Sequence, residues 1–475
     1  MSSDPSYTVP LWIDGEALPT GSLTTFPVIQ STTGNTVHHA ASATTKEALR
    51  AVESSKAAFK SWRNANHVTR RELILKVAAY YEQHADLFIK TQISETSCDE
   101  AWAKQNLDLA CRYLREIAAV ISSVNGTIPQ LEKPGAMGFV FKEPVGPVLC
   151  IAPWNAALIL ATRGVASAIA AGCTVVFKAS ELSPKTHRLI TKAFVEAGVP
   201  KGVLNQIQTR REEAALVTEA IIAHEAIRKI EFIGSAAVGR VIGQVAAKYL
   251  KPVLMELGGK GPAVVLDDAD LEEAAKLAAI GAVINHGQIC FSTERIIVHE
   301  AVAEEFQKLL VKAMDSAGSH AGSAVSSGIG RHANDVLRDV QRSKETFLMG
   351  GPSDSDIHLR PTIVLNPSRS RIVDEETFGP SASLYAVSSD EAAIDLANRS
   401  AYGLNATIWS TNMERALKMS RQLEFGQVHI NSISVYTSPT ASQGGVKGSG
   451  FGRQNGKWGI EEFLLDKFVS WHGKV

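Results

Sequence analysis

The sequence predicts an α/β protein with two parallel-sheet units, and three observations carry the prediction. The chain has 475 residues, which exceeds the roughly 250–300 residues at which one hydrophobic core stops growing. Apolar runs of strand length alternate with segments of helical periodicity. The alternation restarts beyond Cys290, so a second sheet follows the first. Such alternation implies parallel strands with helices on both faces of the sheet.

Taken in order, segments 43–62 and 69–88 space their apolar residues as helices do, with Thr44 or Thr45 and Thr69 as N-cap candidates. A hydroxyl there accepts from free N–H groups of the first turn. Segment 146–152 reads as a buried strand, 163–171 as a helix, 174–178 as a strand, 184–196 as a helix opened by Pro184, and 203–207 as a strand. Segment 230–239 reads as a strand, a turn at Gly234-Ser235 and a helix start. Free N–H groups and the helix dipole there suit a phosphate, although the Gly-x-Gly-x-x-Gly spacing is missing. The second set comprises a strand at 295–298, a helix at 302–314, and strands at 406–409 and 427–430.

Composition excludes several function classes. Lys+Arg 48 against Asp+Glu 49 leave a formal charge of −1 with no basic block, so neither nucleic acid nor an anionic membrane surface is an expected partner. Hydrophobic content of 45% is ordinary, and a small-molecule substrate fits better. The apolar stretch 148–177 is interrupted by Pro153, Asn155 and Arg163, which argues against a membrane span. The five cysteines are odd in number and form no Cys-x-x-Cys pair, so neither a disulfide framework nor a metal site is expected. No basic region followed by an apolar run opens the chain, and a reducing, cytoplasmic setting is the expectation.

Chemistry concentrates in Glu256-Leu257-Gly258-Gly259-Lys260 and Gly287-Gln288-Ile289-Cys290-Phe291. A thiolate attacks an electrophilic carbon, and a carboxylate activates the water that releases the product. Further segments join these two: Pro153-Trp154-Asn155, Phe177-Lys178-Ala179-Ser180-Glu181, Phe232 to Gly239, Glu375-Glu376-Thr377-Phe378-Gly379-Pro380, Tyr402-Gly403-Leu404-Asn405 and Gly448-Ser449-Gly450-Phe451-Gly452. In order and approximate spacing the set resembles the aldehyde dehydrogenase superfamily, from about Leu11 to the C-terminus. Departures are Ala179 where Pro is common, Cys173 where Asn is usual, and Ser442-Gln443 where Pro and an aromatic are common.

The resemblance implies a variant Rossmann cofactor domain from 1–121 and 145–256, an α/β catalytic domain at 257–456, and a small β arm from 122–144 and 457–475. An exposed β arm needs a partner, implying a homodimer or homotetramer. Cys290 would be the nucleophile, Glu256 the deacylation base and Asn155 an oxyanion donor. A free thiol with a pKa of about 8.5 is only about a tenth thiolate at pH ~7.5, so helix termini, bound cofactor or a base must assist it. The aldehyde would become an acid through a thiohemiacetal and a thioester on Cys290, and a base at 256 argues against transfer to coenzyme A.

For the cofactor, the resemblance implies Lys178 and Glu181 at the adenine ribose, Ser180 beside them, and Gly234, Ser235 and Gly239 near the pyrophosphate. Trp154 and Leu257 would line the cofactor site, Glu376 would bind the nicotinamide ribose and Phe378 would pack near the ring. A carboxylate at Glu181 opposes a 2′-phosphate and favours NAD over NADP. Arg163 and the run 288–295 resemble the branch that holds salicylaldehyde, vanillin and benzaldehyde dehydrogenases, implying an aromatic aldehyde. Arg163, Trp102, Phe291 and Tyr436 are the expected pocket residues, with a structural ion pair the alternative for Arg163. Two rival readings are NADP-dependent oxidation of short aliphatic semialdehydes and a non-enzymatic protein that keeps the fold.

Overall fold

Five parallel strands form the centre of an eight-stranded sheet in the computed structural model, which describes residues 4–318 and 322–473. Across the sheet the order is Gly450–Phe451, Val253–Glu256, Lys229–Ile233, Pro147–Ile151, Thr174–Lys178, Leu204–Ile207, Trp12–Ile13 and Glu16–Ala17. From Pro147–Ile151 the chain winds outward to one side through 174–178 and 204–207. It then crosses back to add Lys229–Ile233 on the other side. That reversal is a topological switch point, and a crevice opens outside the carboxyl ends of the strands beside it. Asn155, Gly234 and Glu256 all stand at those ends.

The helix Ala157–Ala171 is buried along its whole length, because it lies between this sheet and the helices His67–Gln83 and Glu100–Val120. A helix apolar all round is what such a position requires. It begins six residues before the start at Arg163 that its sequence suggests, since the Gly and Ala content that blurs periodicity is what permits close packing. Thr44 caps Thr45–Trp62 with a full capping box to Glu47. Thr69 is not a cap: Asn66 caps His67–Gln83, and segment 69–88 breaks at His84, where a separate helix Ala85–Thr96 begins. Both pieces keep the same apolar spacing, so periodicity alone does not reveal the break.

The second sheet has seven strands in the order Thr346–Met349, Thr362–Leu365, Ser381–Val387, Thr293–His299, Gly261–Val265, Asn405–Trp409 and Gln427–Ile430. All pairings but that of the edge strand Thr346–Met349 are parallel. Parallel α/β architecture in both sheets therefore agrees with the sequence. Ala136–Pro144 pairs antiparallel with Leu464–His472 as a ribbon that leaves Met137, Phe141, Leu465, Phe468 and Trp471 exposed. A two-stranded ribbon is marginal in water without further cover. Among the described residues no helix is long and apolar enough to cross a membrane.

Candidate active site

The segment that presents Cys290 is not helical. Asn285, His286 and Gly287 have φ of 50°, 61° and 70°, a left-handed run that L-residues adopt rarely. Glycine is needed at 287, since a Cβ there would lie 2.1 Å from the Gly379 carbonyl oxygen. The Gln288 amide locks the turn, donating to the carbonyls of Asn285 (2.9 Å) and Ser323 (3.0 Å) and accepting from the Val325 N–H (2.9 Å). Cys290 thus sits just before the amino end of Thr293–His299 and faces the carboxyl ends of the first sheet.

Glu256 closes the strand Val253–Glu256, and its Oε1 lies 3.8 Å from Cys290 Sγ. Its other oxygen accepts from Arg163 at 2.7 Å and from Gln443 Nε2 at 3.2 Å. Arg163 and Glu256 are 1% and 2% exposed, so this is a fully buried ion pair. Such a pair needs hydrogen bonds on the remaining donors and acceptors to offset desolvation. The Cys290 thiol is pushed well above its ordinary range, first by burial and then by the charges of Glu256 and Glu376. The surroundings of the thiol therefore oppose its ionisation rather than assisting it, and the group within reach to take its proton is Glu256.

Asn155 donates its amide to the Gln288 carbonyl at 3.0 Å, which ties the first sheet to the nucleophile turn. Its own carbonyl accepts from Trp102 Nε1 (3.0 Å) and Asn285 Nδ2 (3.3 Å). Trp102 therefore fixes the Asn155 backbone as well as walling the pocket. On the other side, Glu376 accepts from the Gly259 N–H at 2.9 Å, and Phe378, with φ 53°, meets Trp154 edge-to-face at 6.0 Å. Burial and Glu294 push the Glu376 carboxyl up to about 8. The loop is anchored from behind by Glu294, which accepts from Lys260 Nζ (2.5 Å) and from the N–H groups of Thr377 and Phe378.

Two cavities meet at the thiol. One, of about 240 Å³, is bordered by Trp102, Leu109, Tyr113, Phe291 and Tyr436 together with Arg163. The other, of about 450 Å³, is bordered by Trp154, Gly234, Ser235, Leu257, Glu376 and Phe378. Asn155, Leu160, Glu256 and Cys290 belong to both walls. Arg163 does reach the smaller cavity, but its guanidinium is committed to Glu256 rather than free for a substrate hydroxyl. Ser235 caps the helix Ala236–Lys248, with Val238 N–H at 3.4 Å from its hydroxyl.

Some expected cofactor residues stand apart from the larger cavity. Gly239 packs against Leu257, whose Cδ2 would lie 2.5 Å from an added Cβ. It is the close approach of helix to strand end, not a wall residue. Lys178, Ser180 and Glu181 follow the strand Thr174–Lys178, one strand beyond Pro147–Ile151, and do not border that cavity. Lys178 is buried, which lowers its ammonium pKa against the pull of Glu181. The Ser180 hydroxyl accepts from the Leu182 N–H at 3.2 Å, within its own loop. Sequence reasoning missed Tyr113 and Gln443. Tyr113 carries no signal beyond a helical apolar position, whereas Gln443 lies in the stretch that departs from the usual family pattern.

A thiol, a carboxylate and an amide stand together at the junction of two cavities, one of them against a helix N-terminus, an arrangement suited to a covalent enzyme. Comparison with known proteins narrows this: residues 18–469 match the model of the aldehyde dehydrogenase family, and the chain belongs to that family. It is 40% identical to vanillin dehydrogenase of Pseudomonas fluorescens over 97% of each chain, and 36% identical to salicylaldehyde dehydrogenase of Pseudomonas putida, again over 97% of each. The crystal structure of a salicylaldehyde dehydrogenase from Pseudomonas putida G7 complexed with salicylaldehyde matches with a TM-score of 0.95, 35% identity and 98% coverage of each chain. That of betaine aldehyde dehydrogenase from Staphylococcus aureus in complex with NAD+ gives 0.93 at 28% identity, covering 97% of this chain and 94% of that one. The protein is thus an aldehyde dehydrogenase that uses a nicotinamide cofactor.

Proposed function

We propose that this enzyme oxidises an aromatic aldehyde to its carboxylic acid with NAD, through a thioester on Cys290 that water hydrolyses. The observation that carries the reading is the meeting of the two cavities at Cys290, with Glu256 in both walls. Aldehyde enters the smaller cavity, whose walls of Trp102, Leu109, Tyr113, Phe291 and Tyr436 suit a flat ring. Kinship with vanillin and salicylaldehyde dehydrogenases supports the same substrate class.

Cys290 Sγ gives up its proton, within reach of Glu256, and forms a C–S bond to the aldehyde carbon. The Asn155 amide and the Cys290 N–H then stabilise the oxygen as it becomes an anion; one such donor contributes about 2.7–4 kcal/mol in the transition state. The cofactor, when bound, accepts the hydride. Glu256, once it has passed the thiol's proton to solvent, takes a proton from water; the water oxygen bonds to the thioester carbon, the C–S bond breaks, and the proton on Glu256 returns to Cys290 Sγ. A base so placed favours hydrolysis over transfer to coenzyme A.

The larger cavity fits a dinucleotide end by its donor set. The start of the helix Ala236–Lys248 at Ser235 suits a phosphate, and the Glu376 carboxyl suits hydrogen bonding to a ribose diol. Its volume of about 450 Å³ lies inside the roughly 300–1,000 Å³ usual for ligand pockets. Lys178, Ser180 and Glu181 would meet the adenosine end beyond it, and Glu181 disfavours a 2′-phosphate. The exposed apolar ribbon of Ala136–Pro144 and Leu464–His472 suits pairing with a second copy of the chain, as a dimer or tetramer. The domain limits 1–121 with 145–256, 257–456, and 122–144 with 457–475 are supported by the two sheets and the ribbon, although Gly450–Phe451 joins the edge of the first sheet. Five free cysteines accord with a reducing cytoplasm. A panel of benzaldehyde-type and short aliphatic aldehydes, assayed with NAD and NADP, tests the reading. Higher kcat/KM for the aromatic set with NAD is expected, and a wide preference for acetaldehyde or succinic semialdehyde would overturn the substrate class.

A further inference from the structure

Gln443 is 2% exposed and stands in the wall of the smaller cavity, where the family commonly carries an aromatic residue. The chemistry above gives it no task. A buried amide is ordinarily bonded at both ends, and this one is. Its nitrogen donates to Glu256 Oε2 at 3.2 Å, and its oxygen accepts from Thr437 Oγ1 at 2.6 Å and from Asn455 Nδ2 at 3.3 Å. The orientation is forced, because an ionised carboxylate only accepts: the nitrogen must face Glu256 and the oxygen Thr437. Thr437 therefore gives its hydrogen to Gln443, and the Tyr113 phenol, 2.6 Å from the same hydroxyl, is the donor to Thr437.

The backbone of Gln443 is pinned as well as its side chain. It forms an isolated antiparallel bridge with Gln454, with N–H to O contacts of 3.1 and 2.7 Å. Asn455, 1% exposed and held at φ 71°, donates to the carbonyls of Ser438 and Ala441 at 3.0 Å each as well as to Gln443. One oxygen of Glu256 is thus gripped by two donors from separate elements: Arg163 on the helix Ala157–Ala171 at 2.7 Å, and Gln443 in the loop before Val446–Lys447. A single donor leaves a carboxylate free to turn about its last bond, whose torsion is broad. Two donors fix its plane, and Oε1 then faces Cys290 Sγ at 3.8 Å.

We propose that Gln443 is a positioning residue for deacylation: it holds the Glu256 carboxylate so that Oε1 stays turned to the sulfur, where the water that attacks the thioester must lose its proton. The proposal rests on Glu256 being the base. A general base works only within hydrogen-bond reach of the proton it takes, and a displacement of about 1 Å can cost about 10²-fold. The bond from Gln443 is made to a charged group, which is the stronger kind. In this chain a polar brace on the base replaces an aromatic wall, and Thr437 and Asn455 keep the brace aimed by holding its oxygen.

The test follows reduced cofactor before and during steady state, for the full chain at saturating aldehyde and NAD, with thermal midpoints measured alongside. Gln443→Met keeps the length of the side chain and removes the amide. It is expected to slow the phase after the first equivalent of reduced cofactor by about tenfold, while kcat/KM, set by the steps up to hydride transfer, changes far less. Thr437→Val frees the amide to turn and is expected to show the same split at about threefold, whereas Thr437→Ser keeps the donor and is expected to lack it. That pair decides the matter if Gln443→Met does not fold. In a Glu256→Gln background Gln443→Met is expected to lose nothing further, because the brace then has no base to hold. The role of Gln443 is overturned by an unchanged slow phase in Gln443→Met or, where only the Thr437 pair folds, in Thr437→Val. It is overturned equally by a loss shared by kcat and kcat/KM that follows the thermal midpoint, or by a full additional loss in the Glu256→Gln background. If Glu256→Gln keeps full kcat, the base assignment fails and takes the proposal with it. If Glu256→Gln is slow while the Gln443 and Thr437 variants match wild type, Gln443 alone is wrong.

Discussion

The two shores of the active site are built differently. On the first sheet, Asn155 and Gly234 follow the carboxyl ends of parallel strands around a switch point in βα turns, and Glu256 closes the strand beside them. On the second sheet, Cys290 and Glu376 precede the amino ends of Thr293–His299 and Ser381–Val387. They are held there by left-handed backbone at Asn285, His286, Gly287 and Phe378. Each shore also carries a buried ion pair, Arg163–Glu256 on the first and Lys260–Glu294 on the second. The first pair includes the carboxylate proposed as the base, whereas the second bonds only loop backbone and Thr377. The first side of the crevice is thus built on ordinary backbone, whereas the proposed nucleophile on the other requires a strained and anchored loop.

The largest expected effect lies where the shores meet. Cys290→Ala should lower aldehyde oxidation by about 10⁴-fold or more while cofactor still binds, measured by steady-state rates and cofactor titration. Glu256→Gln should release up to one equivalent of reduced cofactor and then turn over slowly; full steady-state activity in either variant would break the assignment.

Lys260→Met tests the anchored shore. Removing one partner of a buried pair costs about 3–5 kcal/mol, so the thermal midpoint should fall by several degrees and the KM for cofactor should rise as the Glu376–Phe378 loop slackens. Arg163→Leu breaks the pair on the other shore. Its kcat should fall for hydroxylated and plain benzaldehydes alike, because the guanidinium serves Glu256 and not the ring. A loss confined to hydroxylated substrates would restore Arg163 as a substrate contact.

Smaller effects follow from the charges around the thiol. Alkylation of Cys290 by iodoacetamide in the absence of cofactor should be slow near pH 7 and climb steadily into the alkaline range, since burial and two carboxylates hold the thiol high. In Glu256→Gln one of those charges is gone, so the alkylation profile should shift to lower pH. An unmoved profile would mean that the two groups do not sense one another. The smallest change is expected at Glu181→Gln, outside the larger cavity: the NADP-to-NAD ratio of kcat/KM should rise by about tenfold at most, equivalent to about 1.4 kcal/mol.

By itself the sequence determined the alternation of strands and helices, because side-chain periodicity is a local property that each segment displays within its own length. Strand 174–178 and helix 184–196 are read to the residue for that reason. Cys290 and Glu256 were singled out too, since few residue types can serve as nucleophile and base and both sit in glycine-bearing segments, and the fold brings them within 3.8 Å. The break at His84 was not legible, because two consecutive helices share one periodicity. Tertiary structure alone decided the partners: Arg163 meets Glu256 across 93 positions of chain, Gln443 reaches Glu256 across 187, and Gln454 reaches Glu231 across 223. Whether Arg163 faced a substrate or a carboxylate depended on where a helix face lies relative to a strand end. Helical spacing sets which residues share a face, but only the packing of that helix between the sheet and its neighbouring helices sets what the face meets.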